Sequence, residues 1–381
     1  MNKWIVAKFG GSSVKDAEAM LRCSNVVENN NDIRVVVISA TQNTTNQLEF
    51  IARAGQRGDE DTLHSLINEL IQRHSKIAHD LFSSEEIRKE LDFLFDEIKF
   101  VGAEILKERH YTPKIMDQLY SLGERISSLL VSDLIRLRVP DRKVLFLDAR
   151  NVIKTSSDFQ KAEPQIDVIA EKARELVIPH LNAGGIVVTQ GFIGKDLLGN
   201  TTTLGREGSD YSAALFGEAI DASLVQIWTD VAGIASSDPR LVKDAKFIPT
   251  LSYDEATALA SLGAKVLFPT TLLPTKRKDI PVFVGSSIDP SLGGTTITKN
   301  QDQKFKLKAV STLQKKEYAI VSFVGCHLDQ AKDLVENLKN SFSDINVEFY
   351  DLTSVSVSFK IASADITNAL LRAHEILVAK Y

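Results

Sequence analysis

Residues 4–14, WIVAKFGGSSV, carry the strongest signal for the type of fold: an apolar run ends in a lysine and a pair of glycines. The stretch predicts a β-strand that leads into a turn, and Ala17, Met20 and Leu21 then follow at helical spacing. Glycines at a strand-to-helix turn let backbone N–H groups approach an anion, and the helix N-terminus adds partial positive charge. With Lys8 supplying a full charge, the stretch predicts a phosphate-binding turn. It is not a GxxxxGK[ST] loop, because the lysine precedes the glycines, and a plain turn is the alternative.

Short apolar runs alternate with helical patterns through the first three quarters of the chain. They are residues 33–38, 144–147, 186–189, 224–228 and 281–284. Several are continuously apolar, which is typical of strands in a parallel sheet that is covered on both faces. A turn at 291–295 and a polar segment at 299–308 mark the end of this pattern. We therefore predict an α/β domain over residues 1–295.

Residues 48–138 differ from the rest of this domain, because their apolar residues recur at helical spacing. Ser83 and Glu86 are placed as in a capping box. Thr112 followed by Pro113 is typical of a helix start. The stretch predicts a mostly helical insertion.

Residues 300–381 predict a separate small α+β module. Strands are expected at 307–312, 318–324, 347–350 and 355–361, with helices at 329–342 and 366–378.

Composition excludes several classes of protein. The 381 residues carry a net charge of -5, which argues against a protein that mainly neutralises nucleic-acid phosphates. No apolar run approaches the ~20 residues of a membrane span, and the N-terminus lacks the apolar region of a secretion signal. The two cysteines, Cys23 and Cys326, form no metal or disulfide pattern. We expect a cytoplasmic protein that binds neither membranes nor nucleic acid.

A second candidate segment is TTTLGREGSD, residues 201–210, which is rich in hydroxyls and precedes a helical pattern. Arg206 suits a planar carboxylate, which a guanidinium grips with two hydrogen bonds. Ser209 or Asp210 alone would be explained as a helix cap, but a cap explains the clustering poorly.

Three more segments are candidates. WTDVAGI, residues 228–234, and the following Asp238-Pro239-Arg240 leave the end of a strand, where ligands of open α/β sheets bind. Residues 39–46 leave the second strand. Residues 123–125 are expected to open a helix, where Glu124 is either a substrate contact or an acid in the first helical turn. Lys265 lies between apolar neighbours, and by itself it is weak evidence of a ligand contact, because such a lysine is usually a surface residue.

Taken in order, nine segments resemble aspartate kinase of the amino-acid kinase family. They are KFGGSSV (8–14), SLGERIS (121–127), KAEPQID (161–167), TQGFIG (189–194), TTTLGREGSD (201–210), WTDVAGI (228–234), SDPR (237–240), GAKVLFP (263–269) and PVFVGSS (281–287). The resemblance implies ATP-dependent phosphorylation of the side-chain carboxylate of L-aspartate to 4-phospho-L-aspartate, the first step towards lysine, threonine and methionine. It also implies a three-layer αβα kinase fold with a mainly parallel sheet, followed by an ACT-like (ferredoxin-like) module.

The resemblance also implies roles for individual residues. Lys8, Asp210 and Lys265 would be catalytic, with Asp210 orienting the lysines. The residues expected at ATP are Lys8, Phe9, Gly10, Gly11, Thr229, Asp230, Ala235, Arg240, Lys265 and Val266. The residues expected at aspartate are Ser39, Thr45, Glu124, Arg206, Gly208 and Ser209, with Glu124 on the ammonium and Arg206 on the α-carboxylate. Mg²⁺ would be carried by ATP, without a metal centre of the protein's own.

The sequence departs from the family pattern in four places. Ala235 stands in place of an aromatic residue, Phe268 in place of a histidine, and the loop 41–45 lacks the usual small or glycine residues. Residues 296–381 leave room for one ACT-like module where the family usually has two. We expect that this reduced module joins two copies into a homodimer.

Two alternatives remain open: a sister amino-acid kinase acting on another acidic substrate, and a non-catalytic regulatory protein that keeps the fold. Glu124 with Arg206 argues against the first, because that pair suits a free α-amino acid. The intact Lys8, Arg206, Asp210 and Lys265 argue against the second.

Overall fold

The opening stretch forms the predicted strand and turn in a computed structural model, which describes residues 3–205, 207–264, 269–300, 306–331, 333–342 and 344–380. The strand β1 (Ile5–Phe9) is buried along its whole length. A 3-10 turn, Gly11–Val14, follows it and leads to helix α1 (Ala17–Glu28). The chain then divides into two compact units, residues 1–230 with 285–291, and residues 231–284 with 292–381.

Five parallel strands form the centre of the first unit. The further strands of this unit are β2 (Ile33–Ile38), β3 (Val144–Leu147), β4 (Ile186–Gln190), β5 (Ile193–Lys195), β6 (Thr201–Thr203) and β7 (Leu224–Thr229). The order in the sheet is β3-β4-β2-β1-β7, and every pairing is parallel. Strands β5 and β6 form a separate antiparallel hairpin.

Helices cover both faces of this sheet. The further helices of the unit are α2 (Thr44–Arg57), α3 (Glu60–Asp80), α4 (Glu85–Glu108), α5 (Pro113–Arg138), α6 (Ile166–Leu176), α7 (Ile178–Asn182) and α8 (Gly208–Ala219). Successive strand residues point to opposite faces, and Val6 and Ala7 of β1 are both fully buried. The α/β class with a mainly parallel sheet is confirmed.

The helical insertion consists of α2 to α5. Helix α5 begins as predicted: the Thr112 side chain accepts a hydrogen bond from the backbone N–H of Ile115, and Pro113 is the first helical residue. The predicted cap at Ser83 is wrong. Ser84 caps α4 instead, accepting from the backbone N–H of Ile87, while Ser83 is buried.

The second unit begins with short elements and ends with an antiparallel sheet. The elements that follow residue 231 are β8 (Thr250–Ser252), α9 (Tyr253–Ser261), α10 (Leu272–Arg277), β9 (Val282–Ser286), β10 (Gly294–Thr298), β11 (Lys306–Gln314), β12 (Ala319–Cys326), α11 (Leu334–Ser341), β13 (Glu348–Leu352), β14 (Ser356–Ile361) and α12 (Ile366–Lys380). The last two residues of β9 belong to the first unit. Strand β10 lies between β9 and β8 and runs parallel to β8.

The C-terminal module has the four strands and two helices that the sequence predicts. Its sheet has the order β11-β12-β14-β13 and is antiparallel throughout. The Phe342 ring lies between those of Phe323 and Phe359, with centroids 6.2 and 6.1 Å away. The first helix is shorter than predicted, because Asp333 takes a left-handed conformation (φ 60°) and α11 begins only after it. The second compact unit, which contains this module, reaches back to Val231. Its limits do not test the predicted domain boundary near residue 295, which stays a prediction. None of the helices within the described ranges is long and apolar enough to cross a membrane.

Candidate active site

A cavity of about 570 Å³ opens in the first unit where β1 and β2 end. Loops that follow these strands, the start of α8 and the middle of α5 form its walls. It is lined by Lys8, Gly11, Ser39, Ala40, Thr41, Gln42, Asn43, Thr45, Tyr120, Glu124, Gln160, Phe192, Thr203, Gly205, Glu207, Gly208 and Ser209. The carboxyl ends of parallel strands are where ligands of open α/β sheets bind. The cavity therefore brings together the predicted phosphate lysine and five predicted aspartate contacts.

Lys8 is held by an acidic partner. It is the fourth residue of β1, and its Nζ lies 2.5 Å from Oδ1 of Asp210 in the first turn of α8. Both side chains are more than nine-tenths buried. A buried ion pair fixes the position of the ammonium group, because moving it away would leave Asp210 uncompensated.

The glycine turn is shaped by close backbone approach. The backbone N–H of Gly10 donates to the carbonyl of Trp228 at 3.1 Å. A Cβ added to Gly11 would lie 2.9 Å from the carbonyl oxygen of Ala40, so a side chain there would force the two loops apart. The Phe9 ring is fully buried and stacks on Trp228, which leaves only the Phe9 backbone at the turn.

Glu124 lies in the middle of α5, so the interpretation of an acid in the first helical turn is wrong. Its Oε1 accepts a hydrogen bond from the backbone N–H of Ala40 at 3.3 Å. Its Oε2 is buried and has no hydrogen-bond partner among the described residues. Burial raises the pKa of Glu124 to about 8, against the smaller opposing effect of the Ala40 N–H. A buried carboxylate with an unused oxygen is a site for a cation or a hydrogen-bond donor.

The start of α8 closes the cavity from another side. Gly208 begins the helix after Glu207, which has a left-handed conformation (φ 55°), and Ser209 lines the cavity. A Cβ on Gly191 would lie 2.6 Å from the Ser209 Cβ, so this glycine allows the helix end to approach. Arg206, the predicted carboxylate ligand, lies outside the described residues.

Asp117 supports the cavity and was not found by sequence reasoning. Its carboxylate accepts hydrogen bonds from the backbone N–H groups of Gln160 and Thr203, both at 2.9 Å, and from the Thr203 hydroxyl at 2.8 Å. Gln160 and Thr203 both line the cavity. Burial raises the pKa of Asp117, and these hydrogen bonds oppose that rise. The only signal in the sequence is a polar residue on the apolar side of α5.

The residues predicted to bind nucleotide are spread over both units. Thr229 ends β7, and its hydroxyl donates to the Asp230 carboxylate at 3.1 Å. Ala235 and Arg240 belong to the second unit. The guanidinium of Arg240 grips the Asp238 carboxylate with two hydrogen bonds of 2.9 and 2.6 Å, and this pairing raises the pKa of Arg240. Lys265, Val266 and Phe268 lie outside the described residues.

Comparison with known proteins identifies the class. Residues 3–286 match the Amino acid kinase family. The match covers both strands that lead into the cavity and all of its lining residues. The chain belongs to this family.

Individual relatives show which members of the family the chain is similar to. The lysine-sensitive aspartokinase 3 of Escherichia coli K12 is 41% identical over 315 residues, which cover 82% of this chain and 68% of that protein. An aspartokinase of Chlamydia pneumoniae is 36% identical over 330 residues, 84% of this chain and 70% of that one. The crystal structure of E. coli aspartokinase III in complex with aspartate and ADP superposes with a TM-score of 0.88 at 30% identity, over 98% of this chain and 100% of that chain. Within the family, the chain belongs with the aspartokinases.

Proposed function

We propose that the chain transfers the γ-phosphoryl group of ATP to the side-chain carboxylate of L-aspartate, giving 4-phospho-L-aspartate. One observation carries the proposal: a single cavity presents the Lys8 ammonium beside a glycine turn and the unpartnered, buried carboxylate oxygen of Glu124. The first group suits a phosphate, and the second suits the ammonium of an amino acid. The solved E. coli relative is described as a complex with aspartate and ADP.

Glu124 selects a free α-amino acid. In an empty cavity its burial favours the protonated form. A substrate ammonium beside Oε2 would favour the carboxylate, because an opposite charge lowers the pKa of an acid. Ser39, Thr45, Gly208 and Ser209 lie around the same cavity and would bind the rest of aspartate. We propose that Arg206 grips the α-carboxylate.

The phosphoryl end of the cavity has to bring two anions together. The aspartate side chain is already ionised at neutral pH, so the reaction needs no general base. The obstacle is repulsion, and Lys8 provides positive charge where the transferred group would lie, beside the Gly11 backbone of the glycine turn. Asp210 holds Lys8 in place, and we assign Lys265 the same function as Lys8 on the nucleotide phosphates.

Mg²⁺ would enter with the ATP phosphates and add positive charge to them. Within the described parts of the chain, no group of three or more His, Cys, Asp and Glu has the arrangement of a metal site. We propose that the ligands of Mg²⁺ would be phosphate oxygens and water. We assign the nucleotide to Thr229, Asp230, Ala235, Arg240 and Val266, together with the Phe9-Gly10-Gly11 backbone.

Two broader features complete the proposal. The product is the first intermediate towards lysine, threonine and methionine, which places the enzyme in amino-acid biosynthesis. The active form is a homodimer that is joined through residues 300–381.

The test is ATP turnover with a panel of acceptors, with the acyl phosphate trapped by hydroxylamine. We expect turnover with L-aspartate and a loss of at least about 100-fold with N-acetyl-L-aspartate, because the acetyl group removes the ammonium that Glu124 would bind. A preference for an acetylated or nucleotide acceptor would instead favour a sister kinase. Absence of turnover with every acceptor, in a protein that still binds ATP, would favour a regulatory protein.

A further inference from the structure

Two adjacent side chains of α3 hold the loop that follows β2. The Nε2 of His74 lies 2.9 Å from the Thr41 hydroxyl, which in turn lies 2.5 Å from the Thr44 hydroxyl. Arg73 donates to the Thr44 hydroxyl at 2.8 Å and to the carbonyl of Gln42 at 2.9 Å. The fully buried His74 and the nearly buried Thr41 are shielded from water. The loop is therefore tied to α3 through Thr41, Gln42 and Thr44.

The hydrogen bonds of this network run in one direction. His74 Nδ1 lies 2.8 Å from the carbonyl of Leu70, which can only accept, so Nδ1 carries the ring proton. Burial lowers the pKa of His74 to about 4, so the ring is neutral and Nε2 accepts from Thr41. Since the single proton of Thr41 is used, Thr44 must donate to Thr41, and Arg73 then donates to Thr44. Each of the two threonine hydroxyls therefore donates one hydrogen bond and accepts one.

The loop needs such support because it contains no glycine. Asn43 has a left-handed conformation with φ 66°, which residues with a Cβ adopt less readily. Thr44, the first residue of α2, and Thr41 lie on either side of this strained position. Strained residues persist where their surroundings determine the conformation, and here the surroundings are the side chains of α3.

The loop also carries groups of the substrate cavity. Thr41, Gln42, Asn43 and Thr45 line it. At the start of the loop, the N–H of Ala40 donates to Glu124. Loosening the loop would therefore disturb both the predicted aspartate contact of Thr45 and the hydrogen bond that orients Glu124.

We propose that His74 and Arg73 are positioning residues for the acceptor amino acid. Through Thr41 and Thr44 they hold the loop in the one conformation that presents Thr45 and the Ala40 N–H to the cavity. This proposal rests on the proposed function, in which the cavity binds aspartate. It also accounts for a loop sequence that departs from the family pattern.

The test removes the network at two points: at Thr41, which lines the cavity, and at His74, which is not among the lining residues. Thr41→Val keeps the shape but deletes the hydroxyl, and His74→Leu removes its acceptor from α3. Each is expected to raise the KM for aspartate about tenfold, with the KM for ATP within about twofold. The double variant should be no worse than either single one, because one chain of bonds is broken in all three. Thr41→Ser keeps the hydroxyl and should have the wild-type KM for aspartate.

The matched control is His64→Ala, an exposed histidine of the same helix, for which no kinetic change is expected. Parallel increases in both KM values, additive effects in the double variant, or a lower melting temperature with unchanged KM would overturn the proposal.

A measurement without substrate separates this proposal from the proposed function. Amide hydrogen exchange of residues 40–46 should be at least about tenfold faster in Thr41→Val than in the wild type. Unchanged exchange would refute the positioning role even if aspartate is the substrate. Faster exchange in an enzyme that rejects aspartate would instead show that only the substrate assignment is wrong.

Discussion

Lys8 at the end of β1 and Asp210 in the first turn of α8 form a buried ion pair, with 2.5 Å between Nζ and Oδ1. The pair joins two segments that are 202 positions apart in the chain and that both border the same cavity. In a site with little water, a fixed positive charge acts more strongly on a developing negative charge than it would in solvent. The pair thus links the packing of α8 to the chemistry expected at the glycine turn.

Lys8→Met is expected to lower kcat by roughly 10²–10³-fold, the usual effect of removing one electrostatic contact to a transition state. Methionine keeps most of the apolar stem, but it leaves the buried Asp210 carboxylate uncompensated, so some loss of stability is expected as well. The measurement is steady-state turnover at saturating aspartate and ATP, with thermal unfolding to confirm the fold. Lys99→Ala, an exposed lysine on α4, is the control. A near-normal kcat for Lys8→Met would remove Lys8 from the site.

The pH dependence of aspartate use tests Glu124. Its pKa is raised to about 8 by burial, so the free enzyme carries a neutral Glu124 at lower pH. A neutral acid cannot pair with an ammonium group, and kcat/KM for aspartate should therefore fall about tenfold per pH unit below pH 8. The value of kcat at saturating aspartate should depend less on pH, because bound substrate keeps Glu124 ionised.

The raised pKa of Glu124 also makes the stability of the fold depend on pH. The pKa of Glu124 is higher in the folded chain than its ordinary value of 4.5, so the folded state binds the proton more tightly than the unfolded state. The resulting stabilisation is complete below about pH 4.5 and is lost as the pH rises through 8. Glu124→Gln should remove this dependence, whereas Glu104→Gln, an exposed position on α4, should not. Melting temperatures measured from pH 5 to pH 9 would show the difference.

Asp117→Asn is expected to destabilise the first unit by about 1–3 kcal/mol and to raise the KM for aspartate. The carboxylate accepts three hydrogen bonds, and an amide has one acceptor oxygen while its NH₂ group faces donors. Asp80→Asn affects only exposed pairs with Lys76 and His79 and should cost less than about 1 kcal/mol. Chemical unfolding and aspartate kinetics would test both effects. A stable Asp117→Asn variant with an unchanged KM would contradict this account of Asp117.

Local sequence signals predicted the longer elements well and the shorter ones poorly. The bounds of β2 and β3 match the prediction residue for residue, because a continuous apolar run between polar turns is a complete local signal. The three-residue strands β5, β6 and β8 were not predicted. Thr201–Thr203 is polar, and it is a strand because it pairs with Ile193–Lys195. Such a strand depends on its partner and not on its own periodicity.

The residues of the candidate site likewise fall into those with a local sequence signal and those that depend on a distant partner. Motifs along the chain identified Lys8, Glu124 and Ser209, and the cavity brings these together. Asp117 and His74 were missed, because their importance comes from contacts with Thr203 and Thr41, far from them in sequence. A buried polar residue on a helix is not informative until its partner is known.

The C-terminal sheet gives the last prediction, that the protein is a homodimer. Strand β13 lies at the edge of this sheet, and Phe349 and Tyr350 on it each expose 47% of their surface. An edge strand with exposed aromatic residues is a ready template for pairing with a second copy, and two-fold dimers are the commonest closed assemblies. Phe349→Lys places a charge on this edge and should shift the protein to monomer. Phe93→Lys, at an aromatic residue of α4 that is 68% exposed, should leave the dimer intact. Light scattering at micromolar concentration distinguishes the states. A monomeric wild type, or a dimer that Phe93→Lys disrupts and Phe349→Lys does not, would show that this edge does not join two copies.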